Sequence, residues 1–173
     1  MKFKCMMMMM MMSTSASAVF IPSTGVDVGQ VDELLGTTTS LRALDGSCPK
    51  GSRPEAEMCW SNSLTGLDYV YSGKTATVQT YATNVDGVIA FELEYGPGSY
   101  IVKNSKDWAL FDNLSDFNWG VIDVRKLPTF NLDGEQVTIS HVSEFNGGLV
   151  EVPEPKPIFL LGIALLSLRI RKA

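Results

Sequence analysis

The sequence predicts a mainly β protein. Its body reads as an antiparallel β-sandwich or jelly-roll-like domain with short N-terminal helices, an N-terminal signal peptide and a C-terminal hydrophobic helix. Three observations predict this. From Leu67 onward, apolar residues alternate with polar ones in short runs spaced roughly ten residues apart. Asp86-Gly87 lies between two such runs and Asp133-Gly134 just before another, as hairpin turns require. Each end of the chain joins an apolar run to basic residues, whereas the middle is acidic. The chain therefore divides into residues 1–18, a signal peptide; 19–151, a secreted β-rich domain; and 152–173, a tail with a hydrophobic helix.

Lys2 and Lys4 form a positive leader, and Phe3, Cys5 and the run Met6 to Met12 make a compact apolar stretch. Ala16-Ser17-Ala18 is an A-x-A cleavage pattern, so signal peptidase is expected to cut after Ala18 and leave Val19 as the mature N-terminus. Val28, Val31, Leu34 and Leu35 share one helical face ended by Gly36, which predicts a first short helix; Thr37 to Ser40 then reads as a loop. Ser52 is placed to cap a second helix, with Pro54 in its first turn, Ala56, Trp60 and Leu64 on one face and Gly66 as its stop.

The period then changes from 3.6 to two. Leu67, Tyr69 and Tyr71 alternate, and Thr75 to Thr83 is β-branched around Val78 and Tyr81. Val88 to Tyr95 predicts a strand with Ile89, Phe91, Leu93 and Tyr95 on one face and Glu92 and Glu94 on the solvent face. Tyr100 to Lys103, Trp108 to Phe111, Trp119 to Val124 and Gln136 to Val142 complete the set.

Charge and cysteine usage bound the function. Of 14 Lys and Arg, six belong to the two ends, leaving residues 19–155 with 8 cations against 19 acids, a net charge of −11. Such a body repels phosphate backbones, and nucleic acid is excluded as a partner. Cys48 and Cys59 are expected to bridge in an oxidising compartment. Closing a loop of about 12 residues contributes about 2–3 kcal/mol in the chain-entropy picture. Two thiols and one distant histidine give no zinc spacing.

Catalytic patterns are missing. No G-x-S-x-G, H-E-x-x-H or G-x-x-x-x-G-K run occurs, and no cofactor is expected. His141 is the sole histidine, and Ser140 beside it on a strand points to the opposite face, so His141 reads as structural. Asp112, Asn113, Asp116 and Asn118 crowd one loop before Gly120. Asp112, Asp116 and Asn118 are the weak candidates for calcium, although turn chemistry accounts for the loop. Tyr69, Tyr71, Tyr81, Tyr95, Tyr100, Trp108 and Trp119 offer faces for sugar rings, at the expense of core positions.

The tail is the most specific feature. Val152-Pro153-Glu154-Pro155 precedes an 11-residue apolar run, Ile158 to Leu168, and then the basic end Arg169, Arg171 and Lys172. Eleven residues make about 16 Å of helix, short of the roughly 30 Å of a bilayer core, so the run suits transient anchoring. The basic residues set a cytoplasmic end. This order of parts resembles the PEP-CTERM sorting tail of Gram-negative bacteria, which exosortase enzymes process. Segments around Glu57, Trp60, Asn62 and Leu64, Gly98 to Lys103 and Ile139 to Phe145 resemble, more weakly, the bodies of such proteins. The resemblance implies recognition through Val152, Pro153, Glu154 and Pro155 by an exosortase-like membrane enzyme. It also implies export across the inner membrane, transient anchoring there through the tail, and a final place at the cell surface or in the extracellular polysaccharide. The expected function is that of a non-enzymatic exported protein; the alternative is a glycan- or calcium-binding extracellular module.

Overall fold

The computed structural model describes residues 18–42, 46–127, 130 and 139–145. In chain order the described elements are β1 (Val19–Ile21), β2 (Val26–Gly29), β3 (Glu33–Thr38), α1 (Pro54–Thr65), β4 (Tyr71–Thr75), β5 (Tyr81–Ala82), β6 (Val88–Glu92), β7 (Ser99–Lys103), β8 (Trp108–Asp112), β9 (Trp119–Asp123), a 3-10 turn (Val124–Lys126) and β10 (His141–Phe145). The protein is mainly β, with every pairing antiparallel and one helix among the described residues. A five-stranded sheet runs β3-β8-β7-β10-β4, a three-stranded sheet runs β5-β6-β9, and β1 and β2 form a hairpin.

Alternation along the strands builds the layers. Tyr100 and Val102 of β7, Ala109 and Phe111 of β8 and Val142 of β10 share one apolar cluster with Phe91 and Ile122 of the three-stranded sheet. The opposite parity, Ile101, Leu110 and Phe145, packs under Ala56 and Trp60 of α1. Val88, Ala90 and Val121, on the far side of the three-stranded sheet, are covered by Val19, Ile21 and Val28 of the hairpin. Both faces of β7 and β8 are thus buried, which is why these strands are almost continuously apolar.

Close approach of the layers depends on small residues. Gly120 pairs with Phe91, and a Cβ there would lie 2.5 Å from the Phe91 ring and 3.1 Å from Tyr100. Gly73 of β4 lies beneath the Tyr95 ring, 2.2 Å from where its Cβ would be. Gly36 of β3 receives the Leu64 side chain from α1, with the nearest atom 2.7 Å from a Cβ.

The helix expected over Val28 to Leu35 is not formed. Val28 lies in β2, Leu34 and Leu35 lie in β3, Val31 falls in the segment between them, and Thr37 and Thr38, expected in a loop, extend β3. Gly29, at a φ of +95°, ends β2. Leu34 packs into the cluster between the sheets while Leu35 packs beneath α1. A strand covered on both faces carries consecutive apolar residues, and here that pattern coincides with a helical period.

The second helix forms as Pro54–Thr65, with Pro54 in its first turn and Gly66 as a left-handed C-cap at φ 73°, its N–H donating to Asn62 O. Its N-cap is Arg53, not Ser52. Its buried face is Ala56, Glu57, Trp60 and Ser61, while Leu64, expected on that face, is 44% exposed. Leu67 to Tyr71 contributes only Tyr71 to a strand, and Thr75 to Thr83 only Thr75 and the pair Tyr81–Ala82. The Asp86-Gly87 turn joins β5 to β6 with Gly87 at φ 70°. Of the segment Gln136 to Val142, His141 and Val142 lie in β10, and 136–138 lie outside the described residues, as does Asp133-Gly134.

Candidate functional site

The face of the five-stranded sheet that carries α1 extends past the start of that helix. Antiparallel pairing places Thr38, Trp108, Lys103 and His141 side by side across β3, β8, β7 and β10. Paired residues point to the same side of a sheet, so this row forms a floor. Lys103 Nζ lies 4.7 Å from the Trp108 ring centroid, a cation–π contact. The same ammonium donates to Asn104 O at 2.7 Å, which fixes its position. The indole Nε1 of Trp108 is buried with no hydrogen-bond partner among the described residues.

Over this floor lies a cavity of about 420 Å³, walled by the chain leaving β3, including Leu41 and Arg42, and by Pro49 to Ser52 ahead of α1. Arg42, Lys50 and Lys103 all line it, and no carboxylate does so among the described residues. Lys74 Nζ donates to Ser52 O at 3.3 Å from outside the wall. The Cys48 and Cys59 sulfurs lie at disulfide distance, 2.08 Å, with their Cα atoms 5.6 Å apart. Cys48 precedes the wall segment and Cys59 sits in α1, so this link ties the Lys50 loop to the helix.

Next to the floor is a buried polar joint. Glu57 of α1 is fully buried. Its Oε1 lies 3.0 Å from His141 Nε2 and 3.5 Å from Lys74 Nζ, and its Oε2 accepts from Ser143 Oγ at 2.6 Å. Burial raises the Glu57 carboxyl, but the hydrogen bonds of His141 and Ser143 and the charge of Lys74 outweigh it and hold the group below its usual value. Ser143 is two residues from His141 on the same strand and is fully buried. A serine donating to a carboxylate inside a core is a structural tie, with no path for a substrate to its oxygen. Ser140, the neighbour considered from sequence, is exposed and apart from this joint.

Two further buried carboxylates do similar work. Asp32 Oδ2 accepts from Tyr100 Oη at 2.5 Å and Val121 N at 2.7 Å, and Oδ1 from Leu114 N at 3.1 Å. Burial nevertheless pushes Asp32 up to about 6. Glu144 accepts from the backbone N–H of Glu94 at 3.0 Å and of Tyr95 at 2.8 Å, and burial raises it too. The sequence offers little sign of these roles, because an Asp between strands and a Glu on a strand read as surface residues.

Cys48 and Cys59 come together as expected. Asp112 accepts from Ser99 Oγ at 2.8 Å, whereas Asp116 and Asn118 are exposed. Asn113 organises their loop by donating to Phe117 O and Trp119 O while its Oδ1 accepts from Ser115. Among the described residues no three His, Cys, Asp or Glu side chains are grouped to hold a metal ion. Glu92 and Glu94 are both exposed, but β6 ends at Glu92, short of the expected Tyr95, and the face that Glu92 shares with Val88 and Ala90 is otherwise buried under the hairpin. Of the aromatics considered for sugar stacking, Tyr69 and Tyr100 are core residues, which removes them as a binding face. Trp108 is half-buried and lines the cavity. Val19 opens β1 and is buried, and Ala18 before it is exposed. Ala16, the tail residues Val152, Pro153, Glu154 and Pro155, and the basic end Arg169, Arg171 and Lys172 lie outside the described residues. Among the described residues no helix is long and apolar enough to cross a membrane.

No family model, no curated protein and no solved structure matches this chain.

Proposed function

We propose that the chain is an exported, non-enzymatic surface or matrix protein. Signal peptidase releases it at Val19, the tail holds it transiently in the inner membrane, and an exosortase-like membrane enzyme processes it for the cell surface or extracellular polysaccharide. The observation that carries this reading is the Cys48–Cys59 pair at disulfide distance, joining the Lys50 loop to α1. Such links persist in oxidising compartments. The layout of the two ends supports the same destination. The two sheets that share the Phe91–Tyr100–Phe111 cluster fit a β-sandwich body.

The absence of catalysis from this reading rests on how the titratable groups are used. Asp32, Glu57 and Glu144 are buried, and each is occupied by donors that join separate segments. His141 is one of those donors, because the ionised Glu57 carboxylate only accepts.

The second reading, a glycan-binding module, is favoured over a calcium-binding one by the Trp108 cavity. That cavity offers an indole and cations, the opposite of a cation site. Glu154→Ala in the native host tests the sorting reading. Glu154 lies between two prolines in the sequence, which disfavour a core helix or central-strand position, so the change is expected to leave the body folded. The variant should accumulate in the membrane fraction with its tail uncut. Processing and release equal to the parent would overturn the reading.

A further inference from the structure

We infer that the cavity over Trp108 and Lys103 binds a carboxylate-bearing saccharide, such as a uronic-acid unit of an acidic extracellular polysaccharide. This deepens the glycan-binding reading and rests on it.

Charge distribution is the first argument. Residues 19–155 carry 8 cations against 19 acids. Scattered at random over such a surface, a cation finds acids for neighbours. Yet Arg42, Lys50 and Lys103 converge on one cavity with no carboxylate in its lining among the described residues, and Lys74 touches its wall from behind. Local positive potential inside a negative body selects an anionic group and repels anions that are not drawn into the cavity.

Shape and surface are the second argument. The cavity, about 420 Å³, lies in the range of small-ligand sites. Trp108 is half-buried and gives the cavity apolar ring area beside the Lys103 ammonium, against which the C–H face of a pyranose packs. Thr39, Ser40 and Ser52 on the rim supply hydroxyls for sugar hydroxyls. An aromatic platform flanked by Lys103 and faced by Arg42 and Lys50 combines the two chemistries that an acidic sugar carries, a flat apolar face and a carboxylate. A bare anion uses only the cations, and a neutral sugar only the ring and hydroxyls.

Part of this geometry is fixed before binding. Lys103 is anchored by Asn104 O and by the Trp108 ring. The Lys50 loop is tied to α1 through Cys48 and Cys59. Fixing donors before binding reduces the entropy lost on association.

The test is titration of the purified, disulfide-intact protein, followed by calorimetry and tryptophan fluorescence. The probes are a galacturonic-acid oligosaccharide, its methyl ester, a neutral gluco-oligosaccharide, inorganic phosphate and single-stranded DNA. The acidic oligosaccharide should bind, and its methyl ester should bind at least tenfold more weakly. Lys103→Gln and Arg42→Gln should each weaken binding about tenfold, the loss of one charge-assisted contact. Lys126→Gln, an equal change in net charge on the distant 3-10 turn, should leave it unchanged. Trp108→Phe keeps an aromatic ring in place and should weaken binding with an unchanged melting temperature, which separates a site effect from a folding effect. Equal binding of the acid and its ester, unaffected by Lys103→Gln, would overturn the charge inference while the glycan reading stands. Binding of phosphate or DNA at the same residues without the saccharide would overturn the sugar class. Binding of no glycan would overturn both.

Discussion

Tyr100 donates its hydroxyl to Asp32 Oδ2 at 2.5 Å, joining the centre of β7 to the segment between β2 and β3. Both side chains are buried, Asp32 with only 2% of its surface exposed. The same carboxylate receives Val121 N from the other sheet and Leu114 N from the calcium-candidate loop. One side chain thus holds both sheets and a loop in register.

That placement makes stability depend on pH. Burial raises Asp32 from 3.8 to about 6. A carboxyl raised on folding contributes stability that is fully present below its unfolded pKa and is lost as pH rises through its folded one. Its contribution should fall by about 2 kcal/mol between pH 4 and pH 7. Glu57 has the opposite sign, because its carboxyl is lowered on folding; its contribution is present above about pH 4.5 and lost as pH falls. Urea denaturation across this range, for the parent and for Asp32→Asn, isolates the Asp32 part. The parent's stability relative to Asp32→Asn should fall as pH rises from 4 to 7.

Gly120 and Gly73 both accept an aromatic ring, yet their substitution should differ. Gly120→Ala drives a Cβ to 2.5 Å from Phe91, which is fully buried between the sheets and has nowhere to move. Overpacking of that kind costs roughly 1–3 kcal/mol or more. Gly73→Ala meets the Tyr95 ring, which is 45% exposed and free to swing outward, so its cost should be the smaller of the two. Denaturant midpoints of the two variants check the order.

The disulfide pairing gives a third expectation. Replacing Cys48 and Cys59 together with Ser should lower stability by about 2–3 kcal/mol. In the freshly exported parent, alkylation without reductant should label neither cysteine. Full labelling of both would refute the bridge.

Much of the fold was legible from period and punctuation. β6 through β9 follow short β-branched and aromatic runs that the sequence announces, and α1 follows Pro54 and Gly66. The misread segment is Val28 to Leu35, where Leu34 and Leu35 face opposite layers and so mimic a helical stripe. Local period carries no signal of what covers the second face of a strand. The candidate site was half legible. Trp108 and the cysteine pair stood out, but Arg42, Lys50 and Lys103 are scattered in sequence and meet only through the β7–β8 pairing and the loop before α1. Ser143 shares a strand face with His141 at i, i+2 spacing, whereas the adjacent Ser140 points away, so the strand period is the sequence signal for the joint with Glu57.

The most direct test of the account is the intact mass of the protein recovered outside the cell. Export with removal of both ends predicts a chain that begins at Val19 and contains no residue from Ile158 onward. Recovery of an extracellular chain that still carries Met1 or Ala173 would contradict it.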